Sequence, residues 1–367
     1  MTSKERLTRL FEGKDIDRIP IWLLFPYFPS PSYADIYNLP GYKPILEQVS
    51  DFTDTIERIN LDTGFCFNAH PMVNSVSRHY TDGDLIIDEQ IIKFKDIVLK
   101  KSVKKGRSGT KVENYIKTPD DIDKIFSLPY KPAEPDPDMF LKKRIDFGER
   151  GLMGVSFNDP ISVFHNLCME TDFPLYIMDE TKKIYEFLEV MFERIYHTLE
   201  FLLKKNIGPV FWMDGPEYVT PPMISPDFFY DLAVKYDKRL FDLIRNYGMK
   251  SMLHCHGNIK KVLPGLNQMG FDSIHPVEAP PMGDCPLPVA RAVFGKNVII
   301  TGNIQYGDLW NKTEEEMEQL VKTVIEEGRE GRFILATTGG PSSKEINDTV
   351  IKNYSRIIET AMHYGKL

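Results

Sequence analysis

A (β/α)8 barrel is the fold this sequence predicts, on three observations. Eight short apolar, β-branched or aromatic runs recur along the 367 residues, each ending in polar side chains. Helical patterns separate them, which makes the strands parallel and dry on both faces. The length fits two domains or one large α/β barrel, and the steady alternation favours one barrel domain spanning 1–367.

The elements follow in order. "MTSKERLTRLFEGKD" is a charged amphipathic helix without the apolar core of a secretion signal. The strand runs are "RIPIWLLF" (18–25), "TGFCFNAHP" (63–71), "GLMGVSFNDP" (151–160), "GPVFWMDGPE" (208–217), "MKSMLHCHGN" (249–258), "FDSIHPVE" (271–278), "NVIITGNIQ" (297–305) and "RFILATTGG" (332–340). Between them, Ser225-Pro226 starts a helix that Gly248 ends. The acids of "NKTEEEMEQLVKTVIEEG" load a first turn, where the helix dipole favours negative charge. Residues 76–118 break the rhythm with alternating polar and apolar residues and turns at Asp82-Gly83 and Gly106. They predict an antiparallel hairpin insertion that walls or covers the barrel mouth. Residues 129–139, "PYKPAEPDPDM", form a Pro-rich connector.

Composition excludes several classes. A net charge of −8 gives no basic face for nucleic acid. No apolar run approaches the roughly 18 residues of a membrane span. Four scattered cysteines, Cys66, Cys168, Cys255 and Cys285, make no disulfide framework, so a reducing cytoplasm is expected.

In a (β/α)8 barrel the chemistry sits at the C-terminal strand ends. Those ends here carry Asn158, Asp159, Asp214, Glu217, His254, His256, Glu278, Asn303, Gln305, Thr337 and Thr338. A single polar strand end is most simply a helix cap or a loop hydrogen bond; two imidazoles and several acids on one rim imply more. On an extended strand His254 and His256 share a face and Cys255 takes the other. Two imidazoles and a carboxylate suit a catalytic zinc with an open position. Glu278 is the first choice for the third ligand, with Asp214 or Glu217 behind it. The alternative is a metal-free polar layer that binds substrate. Cys255 and Cys285 are not expected to be ligands, and His275 is expected to pack inside or cap a turn. His70 is a candidate substrate contact.

The segment "SPDFFYDLAVKYDKRLFDLIRNYGMKSMLHCHGNIKKVLPGLNQMGFDSIHP" resembles the uroporphyrinogen decarboxylase superfamily, with its Ser-Pro-x-x-Phe, helix, Gly, and a strand ending near His-x-Cys-Gly-Asn. "RLTRLFEGKDIDRIPIW", "VEAPPMGDCPL", "NVIITGNIQ" and "NYSRIIETAMHYGKL" fit as well. The resemblance spans nearly the whole chain and implies the same barrel, with a homodimer as a common assembly. True uroporphyrinogen decarboxylases carry an Arg-Gln-Ala-Gly-Arg-Tyr segment after the first strand. Here "LLFPYFPSPSY" stands there without an arginine, so an acidic tetrapyrrole is not expected, and Phe25 and Tyr27 suit an apolar or aromatic substrate.

The corrinoid-dependent methyltransferase branch is the closer likeness. Some of its members hold zinc through His-x-Cys and a distal cysteine. This chain has His256 in place of the first cysteine and "LATTGGPSS" in place of the second, which disfavours thiol activation. A harder His254, His256 and Glu278 site suits an oxygen. The resemblance therefore implies methyl transfer from a small O-methyl compound to a corrinoid. Asp214 or Glu217 would protonate the leaving oxygen. Asn158, Asp159 and Asn303 would contact substrate. No Asp-x-His-x-x-Gly cobalamin motif is present, so the corrinoid would arrive on a separate protein. A non-porphyrin decarboxylase and a binding protein without turnover are the alternatives.

Overall fold

The computed structural model describes residues 1–30, 32–61, 67 and 70–367. Its strands are β1 (Ile21–Trp22), β2 (Thr55–Asn60), β3 (Asn74–Asp82), β4 (Leu85–Phe94), β5 (Ile97–Gly106), β6 (Gly109–Glu113), β7 (Gly151–Asn158), β8 (Val210–Asp214), β9 (Lys250–His254), β10 (Ser273–His275), β11 (Ile299–Ile304) and β12 (Phe333–Thr337). Eight of them form one sheet in the order β1-β12-β11-β10-β9-β8-β7-β2, and every ladder in it is parallel. The expected barrel is therefore present.

The seam between β1 and β2 is closed by one residue. The Asp54 N–H donates to the Ile21 carbonyl at 2.6 Å, and Asp54 Oδ2 accepts the Ile21 N–H at 2.9 Å. Asp54 also pairs with two arginines, Arg6 and Arg18, each at 2.7 Å. Arg6 comes from the helix Ser3–Glu12, whose Thr2 cap accepts the Glu5 N–H. That helix sends Leu7, Leu10 and Phe11 into a core with the inward residues Trp22, Ile56, Val210, Trp212 and Met252. Because its arginine meets Asp54 just before β2, the helix plugs the barrel at the strand starts.

The second barrel strand lies elsewhere than the run expected for it. It is Thr55–Asn60, "TIERIN", and the expected run at 63–71 lies mostly outside the described residues. "TIERIN" carries an arginine, a glutamate and an asparagine, so an apolarity search passes over it. It pairs along its whole length with β7 nonetheless.

The insertion is a four-stranded antiparallel sheet, β3-β4-β5-β6, joined by two-residue turns. It packs on the main core through Ile92 and Leu99. The Pro-rich connector is irregular as far as Asp136, and a helix, Pro137–Phe147, starts inside its expected span. The helix expected from Ser225 begins as a short 3-10 turn, passes through a π-helical stretch, Tyr230–Val234, and continues as Lys235–Asn246. Thr313 and Glu316 form a reciprocal cap at the start of Glu314–Gly328. No described helix is long and apolar enough to cross a membrane.

Candidate active site

Four neighbouring strands end in register: Asn158 beside Asp214, Asp214 beside His254, and His254 beside His275. Above them opens a cleft of about 530 Å³. Its aromatic wall is Trp22, Phe25, Phe28 and Tyr33, and its polar floor includes Arg58, Asp214, His254 and His256. That volume is in the range of small-molecule sites.

The histidines have separate jobs. His275 is fully buried, and burial lowers its pKa to about 3, so it is neutral. His275 Nε2 lies 3.0 Å from the Thr337 carbonyl, which can only accept, so the His275 proton is on Nε2. Its Nδ1 is then an acceptor, and His254 Nδ1, 3.1 Å away, must be the donor. Burial, then the charges of His275, His256 and Arg58, keep His254 neutral as well. The lone pair of His254 is therefore left on Nε2, in a side chain that lines the cleft. The ring is held between Trp212 (centroids 5.0 Å apart) and His275 (5.2 Å).

His256 behaves differently. Its Nδ1 lies 3.0 Å from Glu278 Oε2, which also accepts the Gly257 N–H at 3.0 Å. Burial opposes charge on His256, but the Glu278 carboxylate outweighs it and raises the imidazole pKa. Burial likewise opposes charge on Glu278, and its bond to His256 prevails and lowers the carboxyl pKa. Glu217 Oε2 accepts the His256 backbone N–H at 3.4 Å. Burial, helped by Asp214, pushes Glu217 up to about 8 against the pull of His256. Asp214 is raised by burial too, and its Oδ1 accepts the Trp212 indole N–H at 2.7 Å.

The cleft thus gathers Phe25, Asp214, His254 and His256 from the expected residues. Glu217 and Glu278 stand behind His256. Tyr27, His70, Asn158, Asp159 and Asn303 do not line the cleft. Tyr27 packs on Phe28 and Phe147 and gives its N–H to Glu57. His70 Nδ1 accepts the Met72 N–H in a turn. Asp159 is the buried cap of the helix Pro160–His165, accepting the Ser162 N–H at 2.7 Å. None of the insertion residues lines the cleft, so the expected wall is supplied instead by Leu24, Phe25, Phe28, Pro29, Tyr33, Met139 and Lys143.

Cys168, Cys255 and Cys285 are buried free thiols. Burial pushes the Cys285 thiol up to about 11 and raises Cys255 as well, away from the thiolate a ligand needs. The zinc expected at His254, His256 and Glu278 would need these three side chains to turn toward one point. Among the described residues no three His, Cys, Asp or Glu side chains are placed to hold an ion. Glu278 is committed to His256, whereas the Nδ1 partners of His254 and His256 leave each Nε2 open, as in an oriented metal ligand.

Three contributors were not found from sequence. Arg58 was missed with its strand. Trp212 sits inside an apolar run, and nothing local marks it. His275 was expected to be packed inside, which it is, but its function is to set the His254 tautomer. Its only visible signal was a histidine one strand over from His254.

Fold and site together define a (β/α)8-barrel protein with an acid- and imidazole-floored cleft at its strand ends. The chain belongs to the uroporphyrinogen decarboxylase (URO-D) family, whose model matches residues 102–350. Its fold is similar to that of a methyltransferase from Methanosarcina mazei, with a TM-score of 0.63 at 14% identity over 99% of both chains. A B12-independent methionine synthase from Shewanella sp. W3-18-1 gives a TM-score of 0.47 at 12% identity, covering 94% of this chain and 98% of that one. No curated protein matches the sequence.

Proposed function

We propose that this chain is a methyltransferase that takes the methyl group of a small O-methyl compound, aromatic in its body, for transfer to a corrinoid carried by a separate protein. The observation that supports it is a pair of buried carboxyls, Asp214 and Glu217, held toward their protonated forms beside an aromatic-walled cleft. Cleaving a methyl ether needs a proton for the departing oxygen. Asp214 faces the cleft and delivers it. Glu217, which keeps a proton to about pH 8, sits behind and steadies the His256 backbone. His254 Nε2 is an acceptor that orients a substrate carrying a ring hydroxyl. Trp22, Phe25 and Phe28 exclude water. The corrinoid supplies the nucleophile when its carrier protein docks.

The test is methyl transfer from methoxy-aromatic compounds to a reduced corrinoid protein. Asp214→Asn should lower kcat by about 10²–10⁴-fold, the usual share of general acid catalysis. Unchanged kcat in that variant would remove Asp214 from the mechanism. Zinc on His254, His256 and Glu278 requires the His256–Glu278 bond to be exchanged for bonds to the ion. Elemental analysis of protein purified without chelators decides it. Stoichiometric zinc lost on H254A/H256A supports the ion, and metal-free active protein rejects it.

A decarboxylase reading is favoured by one observation, the two cations Arg58 and Lys143 in the cleft lining. Release of CO₂ from an acid, with no methyl acceptor present, would select it.

A further inference from the structure

We propose that Arg58 is the anchor for a carboxylate, so that the molecule filling the cleft is a small monocarboxylate with a planar apolar body. The proposal rests on the reading of this cleft as the substrate site. On β2, Arg58 shares the inward face with Ile56, which is part of the core inside the barrel. Its guanidinium lies over the Trp212 ring at 4.2 Å, with Trp22 at 5.7 Å and Tyr33 at 5.9 Å. Stacking uses the face of the guanidinium and leaves its edge, with five N–H donors in a fixed fork, for hydrogen bonds. Nη2 donates to the Tyr33 hydroxyl. The Tyr33 ring is itself held close against Gly340, where a Cβ would lie 2.1 Å from it.

The contrast with the other inward arginines carries the inference. Arg6 and Arg18 both reach the carboxylate of Asp54 at 2.7 Å. Arg58 forms no ion pair with any described residue, although it lines the same cleft as Asp214. Asp214 feels its charge but gives Oδ1 to the Trp212 indole. A planar cation whose fork is left open by the described residues, at the end of an aromatic slot, fits a planar, two-oxygen anion better than a tetrahedral one. One fork accommodates one carboxylate. The aromatic wall then receives the rest of the molecule, and Asp214 and His254 lie on the floor beside it. The absence of arginine from "LLFPYFPSPSY" is thereby offset by an arginine from a strand that the sequence concealed.

Calorimetric titration of the full chain with 4-methoxybenzoate, its neutral analogue 4-methoxybenzamide, and phenyl phosphate tests this. Wild type should bind the benzoate at least about tenfold more tightly than either other probe, since a site built for a polar group rejects an analogue lacking it. Arg58→Gln should erase that preference, and Arg58→Lys, which keeps the charge without the fork, should weaken it about tenfold. Tyr33→Phe leaves the arginine in place and should cost a few-fold in benzoate affinity; it serves if the Arg58 variants do not fold. Equal binding of acid and amide, tighter phenyl phosphate, a preference surviving Arg58→Gln, or no binding of any probe overturns the proposal. Benzoate binding through Arg58 with neither methyl transfer nor CO₂ release upholds this inference and rejects the proposed function.

Discussion

His254 owes its chemistry to a residue that does not face the cleft. His275 holds its own proton against the Thr337 carbonyl, and this leaves the outer nitrogen of His254 bare. Replacing His275 with Leu frees His254 to switch tautomer, and activity should fall about 10–100-fold, as for other orienting partners of a working imidazole. Unchanged kcat and KM in H275L would show the tautomer to be irrelevant. Glu217 makes a second prediction at this scale. Its folded pKa of about 8 lies above the ordinary 4.5, so the folded state binds a proton that the unfolded chain has released. Stability therefore falls as pH rises from 4.5 to 8. Glu217→Gln should flatten that fall, measured as Tm across the window, and a profile as steep as wild type would contradict it. The rim acids were legible in the sequence because polar residues at the ends of apolar strands stand out. Arg58 was not, since nothing local marks an arginine as facing inward.

Register decides which side chains reach the cleft at the scale of an element. β2 is paired with β7 from Thr55↔Gly151 onward, and a Cβ at Gly151 would lie 1.8 Å from the Thr55 carbonyl oxygen. Gly151→Ala should therefore destabilise the protein by about 3 kcal/mol or more through forced backbone displacement. A denaturation midpoint within error of wild type would refute it. Seven of the eight strands were recognisable as apolar runs. "TIERIN" was not, because Glu57 is satisfied by the Tyr27 and Phe28 N–H groups and Arg58 by the Trp212 ring and Tyr33, partners far away in sequence. The insertion was visible from its alternation and turn residues, which are local. Its position away from the cleft was not, since alternation shows that a strand has two faces but not what they meet.

The whole molecule closes through Asp54. Its carboxylate joins the plug helix, the start of β1 and Arg18 at the barrel seam, and its side chain is fully buried. Asp54→Ala would leave two arginines without their anion and should cost about 3–5 kcal/mol, the penalty of breaking a buried ion pair from one side. Chemical denaturation measures it, and a loss below 1 kcal/mol would mean that the seam is held by other contacts. The sequence by itself determined the barrel, the inserted antiparallel sheet, the family and the acids and imidazoles of the rim. Each of these is written in period, turn chemistry or a local motif. Only the tertiary structure decided which strand completes the barrel, that Glu278 serves His256, that His275 sets His254, and that a cation faces the cleft. Those outcomes depend on pairings between distant segments, whose hydrogen bonds and burial no local pattern encodes.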